Sequence, residues 1–366
     1  MISPTFLILP HTGQHLLPCP QAKWFHPTTG THLASVGNDR LLRIFALDPG
    51  AAPRSGRTFH PIAQISSKSS VPFVSIDIKN VANVYTYLAA IDRLGLVTIY
   101  VPESPDKFDS WRRLAQFPVC TPPPNNGEET SFKVRWDPNL TSLAYYAGLT
   151  DEKSTLGLVV TALDRVKVYH ALLHSSRTGG AVSFIEIASF APTPKILVRD
   201  VQWAPFNVRG VDFIATASKN GDVSILEMSH TANPESAPST EGKTDSEFPR
   251  QTSASASARP APQSSLTTAI AGRNNNGTPA GSRPATSPAS RVLPYSTQIK
   301  VATTLTNAHG DAWSVGWDPA GQVLMTNGSE GRTSMWKKSI LEGEWKEFSS
   351  TEFKVKDSED GEDWVM

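Results

Sequence analysis

One pattern returns five times along this chain without repeating cleanly, and it constrains the fold more than any other feature. Its clearest copy runs Trp317-Asp318-Pro319, Gly321, Val323-Leu324-Met325-Thr326 and Gly328-Ser329-Glu330-Gly331-Arg332, closing on Trp336. A second runs Trp203-Ala204-Pro205, Ile214-Ala215-Thr216-Ala217, Lys219-Asn220-Gly221-Asp222 and Val223-Ser224-Ile225. A third runs Trp24, His26-Pro27, Gly30, Leu33-Ala34-Ser35, Asn38-Asp39 and Ile44-Phe45. Two worn copies lie between them. One joins Val74–Ile78, Tyr87-Leu88-Ala89-Ala90, Asp92-Arg93-Leu94-Gly95 and Leu96–Tyr100; the other joins Phe132–Trp136, Leu158–Ala162, Asp164 and Val166–Tyr169.

Short segments that alternate apolar and polar side chains, punctuated by Pro, Gly and Asp, are strands of antiparallel sheets. A further short strand follows three of the copies, at Trp111–Ala115, Phe184–Ala188 and Trp345–Phe348. Four strands per unit, with units of more than ~45 residues, is the signature of a β-propeller blade. No βαβ rhythm or amphipathic helix competes with it. The expected fold is all-β, an open WD-repeat β-propeller with five recognisable blades and a long insertion.

The array has clear boundaries. Four units fall within residues 20–228 and the last blade within 301–350, with a divergent N-terminus over 1–19 and an acidic tail over 351–366. From 229 to 300 the chain turns to Ser, Thr, Pro, Ala, Gly and Asn, as in Ser253-Ala254-Ser255-Ala256-Ser257. Such a composition buries too little apolar area to offset an ordering entropy of ~1–2 kcal/mol per residue, so a disordered insertion is expected. Closure entropy rises only logarithmically with loop length, and a propeller tolerates the interruption. Within it, Thr278-Pro279 and Ser287-Pro288 lie near Arg273, Arg283 and Arg291 and are candidate sites of proline-directed phosphorylation.

Composition narrows the function. Lys plus Arg and Asp plus Glu both number 34, so no global field draws the chain to nucleic acid or anionic lipid. Cys19 and Cys120 are the only cysteines, too few for a disulfide framework, which suggests a reducing compartment. No apolar run approaches the ~20 residues of a membrane-spanning helix, and the short patch Thr5–Leu9 lacks the basic flank of a signal peptide. In that setting the sequons at Asn139, Asn276 and Asn327 carry no meaning. No nucleophile elbow, phosphate loop, dinucleotide glycine run or zinc-protease motif is present. The histidines at 11, 15, 26, 32 and 60 fit no ligand spacing. No enzyme activity, cofactor, metal or direct nucleic-acid contact is expected.

The singled-out residues read as structural. Asp39, Asp92, Asp164 and Asp222 precede final strands, where a carboxylate accepts turn hydrogen bonds. Trp24, Trp136, Trp203 and Trp317 share one repeat phase, which suits rings packed between adjacent blades better than an aromatic cage. His309, ahead of Trp313, is the histidine placed to join a turn Asp and an aromatic, in the manner of WD repeats.

Two segments carry a family resemblance. Ala308–Trp317, continuing through Trp336-Lys337, resembles the last blade of the Sec-thirteen/Seh group of WD-repeat proteins, and Val198–Phe206 with Ile214-Ala215-Thr216 is similar to the same group. Gly95–Trp111 fits its third blade. The insertion before the final blade resembles the fungal Seh-type nucleoporin more than the COPII coat protein. This resemblance implies a six-bladed propeller left open and completed by a blade that a helical scaffold nucleoporin of the outer-ring Y complex donates in trans. It implies other Y-complex nucleoporins as neighbours and a place at the nuclear pore complex of the nuclear envelope. A related role lies in a vacuolar nutrient-signalling coat complex, at the vacuolar membrane periphery or in the cytoplasm. An alternative from another class is a propeller adaptor reading peptides or histone tails. Five units stand where the family has six, and Trp24–Phe45 best matches its second blade. Either the chain starts short of its first blade or that blade has diverged beyond recognition.

Overall fold

Period-two alternation becomes a four-stranded antiparallel meander five times over. The computed structural model describes residues 21–52, 58–125, 127–151, 153, 156–174, 181–205, 210–233, 293–339 and 341–352. The N-terminal stretch 1–19, the candidate phosphosites Thr278 and Ser287, and the tail beyond Glu352 lie outside them.

Blade one comprises β1 (Gln21–Trp24), β2 (His32–Val36), β3 (Leu41–Leu47) and β4 (Phe59–Ser66). Blade two comprises β5 (Phe73–Val81), β6 (Tyr85–Asp92), β7 (Leu96–Ser104) and β8 (Lys107–Pro118). Blade three comprises β9 (Phe132–Trp136), β10 (Gly157–Ala162), β11 (Arg165–His174) and β12 (Ala181–Phe190). Blade four comprises β13 (Val198–Trp203), β14 (Asp212–Ser218), β15 (Val223–Ala232) and β16 (Tyr295–Leu305). Blade five comprises β17 (Ala312–Trp317), β18 (Val323–Gly328), β19 (Arg332–Lys338) and β20 (Trp345–Glu352). Among the described residues, helix is confined to a 3-10 turn at Pro27–Thr29 and the single turn α1 (Leu143–Tyr146), which Ser142 caps.

The first strands of successive blades lie beside one another, so they form the inner wall of the propeller. Four apolar cores fill the spaces between blades. Leu42, Ile44 and Phe73 join blades one and two, and Tyr87, Trp136 and Leu158 join two and three. Val168, Trp203 and Leu226 join blades three and four; Ala215, Ile225 and Leu324 join four and five. Each fully buried aliphatic side chain contributes about 1.5–3 kcal/mol, so these cores hold the array together. Among the described residues no such core joins blade five to blade one.

The structure moves two expected boundaries. β15 continues to Ala232, and β16 pairs with it from Tyr295↔Ala232 to Leu305↔Val223. Both ends of the 229–300 span are therefore strand, and residues 301–305 belong to blade four. Blade five opens only at Ala312. The insertion leaves the β15–β16 hairpin inside blade four, with 234–292 outside the described residues. β16 alternates exposed and half-buried residues at a sheet edge, which lets a Ser/Thr-rich strand form with little apolar content.

Candidate functional site at the blade seam

Register gives every inner strand a common frame. Trp24 faces Leu33, Ile78 faces Leu88, Trp136 faces Leu158, Trp203 faces Ile214 and Trp317 faces Leu324. Three residues before this position stand Gln21, Ser75, Lys133, Asp200 and Ser314; one residue before it stand Lys23, Asp77, Arg135, Gln202 and Gly316.

These side chains stitch each blade to the next. Gln21 Oε1 accepts the Ile76 N–H at 3.0 Å, and its amide N–H donates back to Ile76 O at 3.0 Å. Ser75 Oγ accepts the Val134 N–H at 3.2 Å, and Asp200 Oδ2 accepts the Val315 N–H at 3.3 Å. Asp77 Oδ2 accepts the Trp136 N–H at 2.8 Å, while Asp77 O accepts the Trp136 indole N–H at 3.2 Å. Gln202 O takes the Trp317 indole N–H in the same way at 3.2 Å. Lys133 has no acceptor to offer blade four. There Arg135 makes the link, to Asp200 at 3.3 Å and to Gln202 Oε1 at 3.2 Å.

The stitching ends at both edges of the array. Trp24 holds the phase of Trp136 and Trp203, which are 4% and 1% exposed, yet Trp24 is 43% exposed. It meets Phe59 of its own blade, with ring centroids 5.7 Å apart, and not a neighbouring blade as its phase led us to expect. The reason is that no described blade precedes it. On the far edge, Met325 pairs with Met335 where Ala215 pairs with Ile225 in blade four. Ala215 and Ile225 are 0% exposed inside the core with blade five, whereas Met325 and Met335 are only half-buried. Among the described residues, the faces of blades five and one at this seam are thus only partly covered.

Charge collects along the inner wall. Lys23 pairs with Asp77 at 3.5 Å, and Arg135 with Asp200. Asp77 draws the Lys23 pKa upward, but burial and the neighbouring Arg135 outweigh it and hold it below the ordinary lysine value. Burial likewise depresses Lys133. Elsewhere, between blades three and four, His170 Nδ1 meets the Tyr295 hydroxyl at 2.8 Å, and the His230 ring lies 4.6 Å from Tyr295. Burial lowers the pKa of His170 to about 3 and of His230 to about 4.

The remaining singled-out residues divide. Asp92 Oδ1 accepts the N–H groups of Leu94 (2.9 Å) and Leu96 (3.0 Å), Asp39 accepts that of Leu41 (3.2 Å), and Asp222 that of Asn307 (2.9 Å). Among the described residues Asp164 makes no such turn bond; its ion pair is with Arg165 at 3.8 Å. His309 bonds Glu330 at 2.5 Å and Thr326 Oγ1 at 2.7 Å, and the Trp336 indole donates to the same Thr326 oxygen at 3.0 Å. The acid of this network is Glu330 and not one of the four aspartates. Sequence reading passed over Glu330 because it sought Asp, although the residue stands in the Gly328–Arg332 turn. Trp203 is buried, and among the described residues its indole nitrogen has no hydrogen-bond partner. Trp313, 54% exposed, lies against the Arg199 guanidinium at 4.9 Å and not against a second aromatic ring. Among the described residues no three His, Cys, Asp or Glu side chains are grouped to hold a metal ion.

No protein-family model matches the chain. Curated relatives do. The chain is 24% identical over 316 residues to nucleoporin SEH1 of Saccharomyces cerevisiae, covering 86% of the chain and 77% of that protein. It is 30% identical over 331 residues to nucleoporin SEH1 of Chaetomium thermophilum, a match spanning 75% of the chain and 61% of the relative's length. It is 24% identical over 206 residues to nucleoporin seh1 of Schizosaccharomyces pombe, spanning 56% of the chain and 53% of that protein. With five propeller blades in chain order and similarity along most of its length, the chain is similar to the Seh1-type nucleoporins.

Proposed function

We propose that the protein is a non-enzymatic scaffold subunit of the outer-ring Y complex of the nuclear pore. In this reading a helical scaffold nucleoporin donates a blade in trans to the seam, other Y-complex nucleoporins are its neighbours, and the assembly supports nucleocytoplasmic transport. Kinship with nucleoporins locates the chain at the nuclear pore complex of the nuclear envelope.

The observation that supports blade donation is the half-exposed seam, with Trp24 on one face and the Met325–Met335 pair on the other. Unpaired strand edges and apolar faces are a liability unless something covers them, and an added strand satisfies both main-chain groups and side chains. The test is affinity purification of the full chain from its own cells, followed by crosslinking mass spectrometry. A helical nucleoporin crosslinked beside residues 21–25 and 323–337 is expected. Recovery of the chain alone, or crosslinks from these residues only to vacuolar coat subunits, would overturn the reading.

A further inference from the structure

We propose that a cavity at one end of blade two receives an arginine side chain from a partner protein, whose guanidinium donates to the Glu103 carboxylate and the Tyr87 hydroxyl. The site lies on the side of blade two that faces blade three, so it does not depend on blade donation at the seam.

Strand alternation builds the cavity. Side chains two apart on a strand share a face, so Tyr85 and Tyr87 project together from β6, and Val101 and Glu103 from β7. With Pro102 and Pro105 of the β7–β8 hairpin they line a cavity of about 180 Å³. The Ser104↔Lys107 pairing closes that hairpin and fixes Pro105 at its tip. Tyr87 packs against Trp136 of blade three, with ring centroids 6.2 Å apart. It is 2% exposed, and among the described residues its hydroxyl has no hydrogen-bond partner. A buried hydroxyl without a partner costs about 1–3 kcal/mol, which a ligand group bonded to it recovers.

Volume and charge select the occupant. Sites for cofactors and drug-sized molecules run to about 300–1,000 Å³, so this cavity suits a single side chain. Val101, Pro102 and Pro105 offer apolar walls to an aliphatic stem, and the tyrosine rings attract a cation. Among the described residues Glu103 is the one charged member of the lining and makes no ion pair. Arg112 stands opposite Val101 on β8 but outside the lining. A guanidinium suits this set better than an ammonium, because it stacks on aromatic rings and presents several donors in one plane. The surroundings point to a protein as its source. Lys79 Nζ donates to the Asp137 and Asn139 carbonyls at 2.6 and 3.0 Å, which ties the end of β5 to the β9–β10 loop. Exposed Val84, beside Tyr85, and exposed Leu140 and Tyr146 of that loop therefore share one end of the molecule. Clustered apolar side chains around a polar pocket mark a protein interface.

Two experiments on the full chain test the site. In the first, the ring signals of carbon-13-labelled tyrosine are followed while N-acetyl-arginine amide is added, with the lysine, norleucine and glutamate analogues as comparisons. Only the arginine analogue is expected to shift them, with a Kd on the order of 1 mM, the affinity of one side chain. Glu103→Gln is expected to raise that Kd roughly tenfold and Tyr87→Phe roughly threefold. An unchanged melting temperature of Glu103→Gln, a change at an exposed residue, shows that the fold is kept. No binding of the arginine analogue, equal binding of another analogue, or binding indifferent to Glu103→Gln would overturn the assignment. In the second, Val84→p-benzoylphenylalanine is expressed in the protein's own cells, irradiated, and its crosslinks are mapped by mass spectrometry. The expected product is an arginine-bearing peptide of another protein, whose Arg→Glu variant loses the chain and regains it with Glu103→Arg. No crosslink, links only to residues 234–292 or to a second copy of this chain, or a partner indifferent to the charge swap would overturn the proposal.

Discussion

Asp77 holds Trp136 at both of its nitrogens, the backbone N–H with its carboxylate at 2.8 Å and the indole N–H with its carbonyl at 3.2 Å. These bonds cross from blade two to blade three and do not belong to either sheet. Cohesion of the propeller thus depends on polar stitching along the inner wall as well as on the apolar cores behind it. The same position in blade five is Gly316, where the stitching stops.

Removing the stitch should loosen the interface. Asp77→Ala deletes the acceptor of a buried backbone N–H and the partner of Lys23, at a cost of about 2–3 kcal/mol. Asp77→Asn keeps an acceptor oxygen and is expected to cost about 1 kcal/mol. Urea denaturation followed by Trp fluorescence distinguishes the two.

Thr326 serves His309 and Trp336 with one hydroxyl, buried at 0% exposure. Thr326→Val preserves shape and leaves both ring nitrogens unpaired. A loss of about 2–4 kcal/mol is expected, since each buried unsatisfied polar group costs about 1–3 kcal/mol. Thr326→Ser, which retains the oxygen, should lose less than half as much in the same denaturation experiment.

Gly221 has φ of +86°, and a Cβ there would lie 1.7 Å from the His309 carbonyl oxygen. The turn between β14 and β15 presses directly on the loop that enters blade five. Gly221→Ala is expected to destabilise by at least about 2–3 kcal/mol, from backbone strain and the displaced loop. Thermal melting monitored by circular dichroism checks it.

His170 and His230 are neutral in the folded chain because burial holds their pKa values near 3 and 4. An unfolded histidine titrates near 6.5, so below that pH the unfolded chain binds protons that the folded one refuses. Their contribution to stability is complete above pH 6.5 and falls as pH drops toward the folded values. Between pH 6.5 and 5 the expected loss is about 2 kcal/mol per histidine. A His170→Gln/His230→Gln variant should show a shallower slope of stability against pH over that interval than the parent.

The sheets were legible because strands such as Phe132–Trp136 alternate strictly and end at Pro or Asp. β16 was not, since Tyr295–Leu305 is edge chain rich in Ser and Thr that buries little, and its partner β15 lies beyond a long insertion. The shared phase of the tryptophans was visible, but the exposure of Trp24 depends on what lies beside blade one and not on its own segment. Gln21, Ser75, Asp77 and Asp200 look like ordinary strand polar residues until register aligns them on one wall. His170 and Tyr295 lie 125 residues apart, and no local pattern announces that they touch.

An open seam leaves the inner edge of blade one exposed to solvent, which hydrogen–deuterium exchange measured on the free chain and on its nucleoporin complex reads out. In the free chain, exchange at residues 21–25 should be much faster than at Val134–Trp136, and binding should slow it along with exchange in 323–337. Equal protection of 21–25 and 134–136 in the free chain, unchanged on binding, would contradict the account.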